Sequence, residues 1–253
     1  PFVCDNEEEQ LAQLKEIADK GPGEYGGVIT ISFTRASEVL MQFQRMLAKD
    51  MRVLVIDDHI EIPEGLISIP PREIQVGKVA AELAALITQG KGRILVSCGR
   101  KDSKIHEGRL ESFCNYIKEN KPELIIELVT GYTRNMDHRG ELYKNACEAL
   151  GKYSDICLIY ALTSHDNRAF VEALEKHGNN KKVAIIGTDL NEETLEFLKK
   201  KRMSAVIDQN PYDKGYMAFK IMVDCLIKNI SVPDVIPCRV DIALENNADL
   251  YAD

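Results

Sequence analysis

Short runs of β-branched and aliphatic residues alternate, almost from end to end, with longer runs whose apolar residues recur at helical spacing. Strands are read at Gly27–Ser32, Val53–Asp57, Ile94–Ser97, Leu124–Val129, Ile156–Tyr160, Val183–Gly187 and Ala205–Ile207. Between them the spacing predicts helices at Ala36–Lys49, Val76–Gln89, Lys104–Asn120 and Asn167–His177. Others end near Gly151, start after a cap at Asn191, and run from Tyr212 to Lys228. Strands that are apolar without alternation must be covered on both faces, and the intervening helices supply that cover. The pattern defines an α/β protein of the doubly wound class, with parallel sheets. About seven strands in 253 residues fit one wide sheet or two small ones.

The beginning breaks the pattern. Glu7 to Lys20 reads as a helix, preceded only by Phe2-Val3-Cys4. A doubly wound unit usually opens with a full strand and helix, so one β-α unit is expected upstream of Pro1.

Composition narrows the function classes. Hydrophobic residues make up 45% and charged residues 28%, the mix of an ordinary globular protein. No run approaches the length of apolar sequence needed to span a bilayer. Pro1-Phe2-Val3-Cys4-Asp5 lacks the basic and apolar regions of a secretory leader. The net charge is −8, and the longest basic run is Lys199-Lys200-Lys201-Arg202, which suits a solvated helix end. These residues are not expected to bind nucleic acid by themselves. The seven cysteines, Cys4, Cys98, Cys114, Cys147, Cys157, Cys225 and Cys238, are odd in number and show no C-x-x-C spacing. That favours a reducing, cytoplasmic setting over a disulfide framework.

In open parallel sheets ligands bind beyond the carboxyl ends of the strands. The residues just past each strand are Ser32, Asp57 and Asp58, Gly99 to Asp102, Asn167, Asp189 and Gln209, and Arg109 lies within two turns of the helix that follows Ile94–Ser97. Carboxylates accept from hydroxyls, while Arg, Asn and Gln donate to hydroxyl and ring oxygens, as a sugar requires. Each Asp or Asn alone is equally a helix cap or turn former. Catalytic motifs are missing: no G-x-S-x-G, G-x-x-x-x-G-K-[ST] or H-E-x-x-H occurs. Gly21 to Gly26 matches G-x-G-x-x-G but precedes a strand, so it reads as a turn. The five histidines lack metal-ligand spacing, and His106-Glu107, on the Arg109 helix, reads either as facing the cleft or, in preference, as an exposed polar face. No cofactor or metal is expected.

Several segments resemble the effector-binding domain of the lac/gal repressor family. They are Gly77 to Ala85, Ile94 to Gly99 and Gly108 to Phe113. Two more are Ile185-Ile186-Gly187-Thr188-Asp189-Leu190 with Asn191 to Thr194, and Ala205 to Pro211 followed by Gly215 and Ala218. The similarity runs through about residues 50 to 230. It implies two doubly wound lobes of the type I periplasmic-binding-protein fold joined by a hinge, with the ligand in the cleft between them. The first lobe would hold residues 1–70 and 210–230, the second 71–209 and 231–253, with crossings near Pro70-Pro71, Gln209 and Ile230-Ser231. The resemblance implies ligand contacts from Arg109, Asn167, Asp189 and Gln209, and from Asp57 or Asp58 in the first lobe. The chain departs from the family at Pro70-Pro71-Arg72, where many members carry Asp. No clear match exists for the phenylalanine that often stacks on the sugar, although Tyr132 or Met136 could stand in.

The unpatterned cysteines, and the end Pro237 to Asn247 resembling that family's C-terminal strand, favour a regulator's sensing domain. Such a domain would be a homodimer touching operator DNA through a helix-turn-helix headpiece outside these residues. The alternatives are a secreted sugar receptor and a doubly wound enzyme.

Overall fold

The computed structural model describes residues 3–31, 36–57, 63–100, 103–131, 138–178 and 183–251. In chain order the elements are α1 (Glu7–Lys20), β1 (Gly27–Thr30), α2 (Ala36–Leu47), β2 (Arg52–Ile56), β3 (Leu66–Ile69), α3 (Glu73–Thr88), β4 (Gly92–Ser97), α4 (Lys104–Asn120) and β5 (Leu124–Val129). They continue as α5 (His138–Lys152), β6 (Ile156–Tyr160), α6 (Asn167–His177), β7 (Ala184–Thr188), α7 (Glu192–Lys199), β8 (Ala205–Asp208), α8 (Pro211–Ile227) and β9 (Asp241–Ala243).

The chain divides into two compact units. The first is Pro1–Pro71 with Asn210–Arg239, and the second is Arg72–Gln209 with Val240–Asp253. In the first unit β1, β2 and β3 pair in parallel in that order. Alternation along β2 sorts its side chains to two faces. Val53 and Val55 pack with Leu11, Leu14 and Ile17 of α1 and with Phe43 and Met46 of α2. Leu54 and Ile56 pack with Ala218, Met222 and Cys225 of α8. Each fully buried aliphatic side chain of this kind contributes about 1.5–3 kcal/mol.

The second unit repeats the scheme on a larger sheet, ordered β5-β4-β6-β7-β8-β9. Ile94, Val96, Leu158 and Ile186 face α3 and α4, where Val76, Ala80, Phe113 and Ile117 receive them. Leu95, Ile159, Ile185 and Val206 face the other way, among Leu142, Phe170, Leu174, Phe197 and Leu198. All pairings are parallel except β8 with β9, which is antiparallel.

Two strands go beyond the seven read from sequence. β3 has four residues, all buried, and β9 has three. The third boundary between units also differs, falling after Arg239 rather than near Ile230-Ser231. The cause is the outer edge of β3. Ser68 N–H donates to Asp234 O at 2.7 Å and Ile236 N–H donates to Ser68 O at 2.8 Å. Val232 and Ile236 pack against the core beside α8, so this segment belongs to the first unit.

Candidate functional site

The second unit's sheet has a topological switch point. After β4 the chain turns to α4 on one face; after β6 it turns to α6 on the other. β4 and β6 are neighbours, so their following loops diverge and leave open the place where ligands bind in such sheets.

A buried polar network lines this place. Ser97, the last residue of β4, donates its hydroxyl to Asp166 Oδ2 at 2.6 Å and accepts from Leu162 N–H at 2.8 Å. Asp166 also accepts from Thr163 N–H at 3.1 Å, half of a capping box that starts the helical run into α6. The loop after β6 is thereby fixed, and the Leu162 carbonyl becomes an acceptor at a set position.

Arg109 reaches that carbonyl. Ser103 caps α4 by accepting from His106 N–H at 3.3 Å. One face of the helix, Arg109, Ser112, Phe113 and Ile117, is then buried. Close packing on α3 is permitted by Gly77, where a Cβ would lie 2.3 Å from the Arg109 carbonyl oxygen. Phe113 stacks on Tyr160 with ring centroids 4.8 Å apart. So held, Arg109 is only 3% exposed. Its Nη1 donates to Leu162 O at 2.6 Å and its Nη2 to Gln209 Oε1 at 3.1 Å. Its Nε–H is buried with no partner.

From Gln209 the chain of bonds continues, since Nε2 donates to Asp189 Oδ1 at 2.8 Å. Asp189 stands at the end of β7 in the left-handed region, φ 63°. Asp tolerates that conformation better than most residues. Its N–H donates to Ile207 O at 2.9 Å, and the Asn191–Thr194 capping box starts α7 directly after it. Arg109, Gln209 and Asp189 thus form one relay: guanidinium, amide, carboxylate. Tyr160 lies beside it. Burial pushes its phenol up to about 12, with Arg109 pulling the other way and Asp189 and Asp166 adding to the rise.

The remaining sequence candidates sit differently. Asn167 is fully buried, and its amide clamps the end of β7. Nδ2 donates to Thr188 O at 2.8 Å, and Oδ1 accepts from Thr188 N–H at 3.3 Å. Asp57 belongs to the first unit, at the end of β2, and accepts from Lys214 Nζ at 2.6 Å. Ser32 and Asp58 lie outside the described residues, as do Tyr132 and Met136. His106 turns to the loop after β4, where Nδ1 accepts from Arg100 N–H at 3.0 Å. Sequence reasoning missed Ser97, Thr163, Asp166 and Lys214. Thr163-Ser164-His165-Asp166 carried a visible capping-box signal; Lys214 carried none. Elsewhere in this unit a surface hollow of about 330 Å³ is lined by Arg168, Glu172, Glu193 and Arg202. Those residues already pair across it or beside it, Arg168 with Glu193 and Arg202 with Glu175. No group of three or more His, Cys, Asp or Glu able to hold a metal ion occurs among the described residues.

Two doubly wound units, with strand-end residues gathered at a switch point, define the class of type I periplasmic-binding-protein-like folds. Residues 3–229 match the family described as periplasmic binding protein domain, and the chain belongs to it. Its fold is shared with GanP, a glucose-galactose binding protein from Geobacillus stearothermophilus, at TM-score 0.76 and 22% identity, covering 96% of this chain and 83% of that one. It is shared with an ABC transporter solute-binding protein from Actinobacillus succinogenes that holds D-allose, at TM-score 0.82 and 16% identity, covering 98% and 85%. A chain assigned to the LacI transcriptional regulators, from Bacteroides fragilis, matches at TM-score 0.77 and 18% identity, covering 97% and 83%. No curated protein sequence matches closely enough to show kinship.

Proposed function

We propose that this chain is a binding module, not an enzyme, and that it takes a small polar ligand, a sugar or sugar derivative, at the strand ends of its second unit. The observation that carries this is the Arg109–Gln209–Asp189 relay at the switch point, with a buried donor still unpartnered on Arg109. A buried guanidinium bound to neutral acceptors is costly unless all its donors are used. A ligand oxygen on Nε supplies that nitrogen's missing acceptor, and ligand hydroxyls donate to the remaining lone pairs of Asp189. Two fold relatives, one a glucose-galactose binding protein and one holding D-allose, agree with that chemistry.

We further propose that the module senses its ligand for a LacI-type regulator in the cytoplasm, as a homodimer whose headpiece meets operator DNA. None of the seven cysteines forms a disulfide in the structure, and their spacing lacks a pairing pattern, which supports a reducing compartment. Ligand would act by binding one conformational state better than another. The second reading, a secreted receptor of a transporter or sensor kinase, is favoured by the fold relatives that serve transport. Cell fractionation of the native protein separates the two. Cytoplasmic protein with seven titratable thiols supports the regulator; exported protein overturns it.

The test of binding is a thermal-shift screen of monosaccharides, disaccharides and sugar phosphates. A ligand at 100 times its dissociation constant adds about 2.7 kcal/mol of stability. Arg109→Ala and Asp189→Ala should abolish the shift, and persistence of the shift in both variants would place the site elsewhere.

A further inference from the structure

A sheet edge is a row of unpaired N–H and C=O groups, and proteins blunt it with short strands, lysine, proline, bulges or a covering segment. The outer edge of β3 is covered by residues 234–236. β9 has only three residues, and no residue of β1 is exposed. β5 is different. It has six residues, as many as β4, which pairs with it on one side. On its other side no strand lies among the described residues. Leu124-Ile125-Ile126-Glu127-Leu128-Val129 contains no lysine, proline or glycine, and Ile125 and Leu128 are 47% and 50% exposed.

The register with β4 states which backbone groups face outward. Cys98 N–H donates to Val129 O at 3.0 Å, so the backbone of Val129 turns toward β4, and with it that of Glu127 and Ile125. These groups alternate from side to side along a strand. The N–H and C=O of Ile126 and Leu128 therefore point to the open side, with the carbonyl of Leu124. The Leu124 N–H is used locally, donating to Lys121 O at 3.0 Å. Side chains alternate between the faces. Leu124 and Ile126 pack toward α3 and α4, and Val129 toward α5. Leu128 thus lies on the first face, and Ile125 and Glu127 on the second.

Another strand completes such an edge, and every copy of the chain brings one. A two-fold axis normal to the sheet sets two β5 strands antiparallel and keeps like faces together. Charge then selects the register, because like charges directly opposite are destabilising. Centred on Ile125, the pairing sets Glu127 against Glu123 of the second copy. Centred on Glu127, it sets that carboxylate against its own copy. Centred on Ile126, it opposes no two carboxylates. Ile126 then faces Ile126 of the second copy, and the two exchange N–H···O bonds in both directions. Leu128 faces Leu124 of the second copy and donates its N–H to that carbonyl. Glu127 faces Ile125 of the second copy and keeps its own donors, Tyr153 Oη at 3.2 Å and Arg93 Nη1 at 3.4 Å.

We propose that the open edge of β5 is a homodimer interface, in which two copies join their second-unit sheets antiparallel about Ile126. The inference gives the homodimer proposed above a surface, and it stands or falls independently of the sugar reading.

The test is sedimentation of the full chain over a concentration series, with two variants checked for folding by their melting transitions. The unaltered chain should dimerise and go no further, since pairing consumes the edge. Leu128→Lys buries two ammonium groups against leucine in each dimer and should raise the dissociation constant roughly tenfold or more. Glu127→Gln keeps the acceptor for Tyr153 and Arg93 and should leave the constant about where it was. A chain that sediments as a monomer at every concentration overturns the proposal, as does a dimer that Leu128→Lys leaves intact. A dimer strengthened by Glu127→Gln shows carboxylates facing each other and overturns the register centred on Ile126. None of these results alters the thermal shift given by a sugar, so the two readings fail separately.

Discussion

The two units end a strand in the same way and then diverge. In the first, Asp57 follows β2 with φ 53°, and its N–H donates to Ile69 O on the neighbouring strand at 2.9 Å. In the second, Asp189 follows β7 with φ 63°, and its N–H donates to Ile207 O on the neighbouring strand at 2.9 Å. The backbone is the same; the carboxylate's partner is not. Asp57 meets a charge directly, Lys214 Nζ at 2.6 Å, and Lys214 is 2% exposed. Asp189 meets an amide, and through it a guanidinium whose Nε–H has no partner. The first arrangement is closed: a buried ammonium has its counter-ion. The second is open, with lone pairs at one end and a donor at the other. Two identical turns can therefore carry a closed ion pair and, on the reading proposed above, a binding site, and the partner residue decides which.

If that contrast holds, damage to the two turns has different consequences. Asp57→Ala strands Lys214 without its carboxylate. Breaking a buried pair costs about 3–5 kcal/mol, and the 31% exposure of the Asp57 side chain places the loss near the lower end, about 3 kcal/mol. Urea unfolding measures it; a loss under about 1 kcal/mol would show that the lock is not one.

A second prediction concerns alkaline pH. In the folded chain the phenol of Tyr160 stays neutral up to about 12, whereas in the unfolded chain it ionises near the ordinary value of about 10. Stability from this group is complete below pH 10 and is lost as pH rises through 12. The loss amounts to roughly 2–3 kcal/mol. Tyr160→Phe should flatten that part of the stability profile, and an unchanged profile would remove the buried phenol from the account.

Gly77→Ala places a Cβ 2.1 Å from Ser112 Oγ and 2.3 Å from the Arg109 carbonyl oxygen. It should cost about 2 kcal/mol by forcing α3 and α4 apart, and should weaken ligand binding through Arg109. Loss of stability with unaltered affinity would mean that helix spacing does not position the guanidinium. Smallest in energy is Asp189→Asn. It keeps shape while removing charge, and should weaken a sugar about tenfold, or about 1.4 kcal/mol, with little change in melting temperature.

Much of this was visible in the sequence. Apolar residues at helical spacing marked α4 as about Lys104 to Asn120, the range the structure shows. The strand-end positions of Asp189 and Gln209 were legible from the strand pattern, but the bonds that join them to Arg109 were not. β3 was not legible, since the four residues Leu66-Ile67-Ser68-Ile69 between Gly65 and Pro70 are too short a run to show a strand pattern. Nor was the membership of residues 231–239, which depends on pairing with β3 across a long separation in sequence. Asn167 was found at the right place with an unforeseen task, because strand-end position does not state which way a side chain turns. Lys214 was invisible for a similar reason: a lysine near a helix start reads as solvated until tertiary packing buries it.

The central claim is that one turn locks and the other binds. Its most direct measurement is urea unfolding of Asp57→Ala and Asp189→Ala, each with and without a saturating sugar taken from the thermal screen. The account predicts a crossed result. Asp57→Ala loses about 3 kcal/mol yet is still stabilised by the sugar. Asp189→Ala loses less, about 1–2 kcal/mol from placing alanine at φ 63°, and gains nothing from the sugar. Contradiction would be the reverse: a sugar that still stabilises Asp189→Ala and no longer stabilises Asp57→Ala.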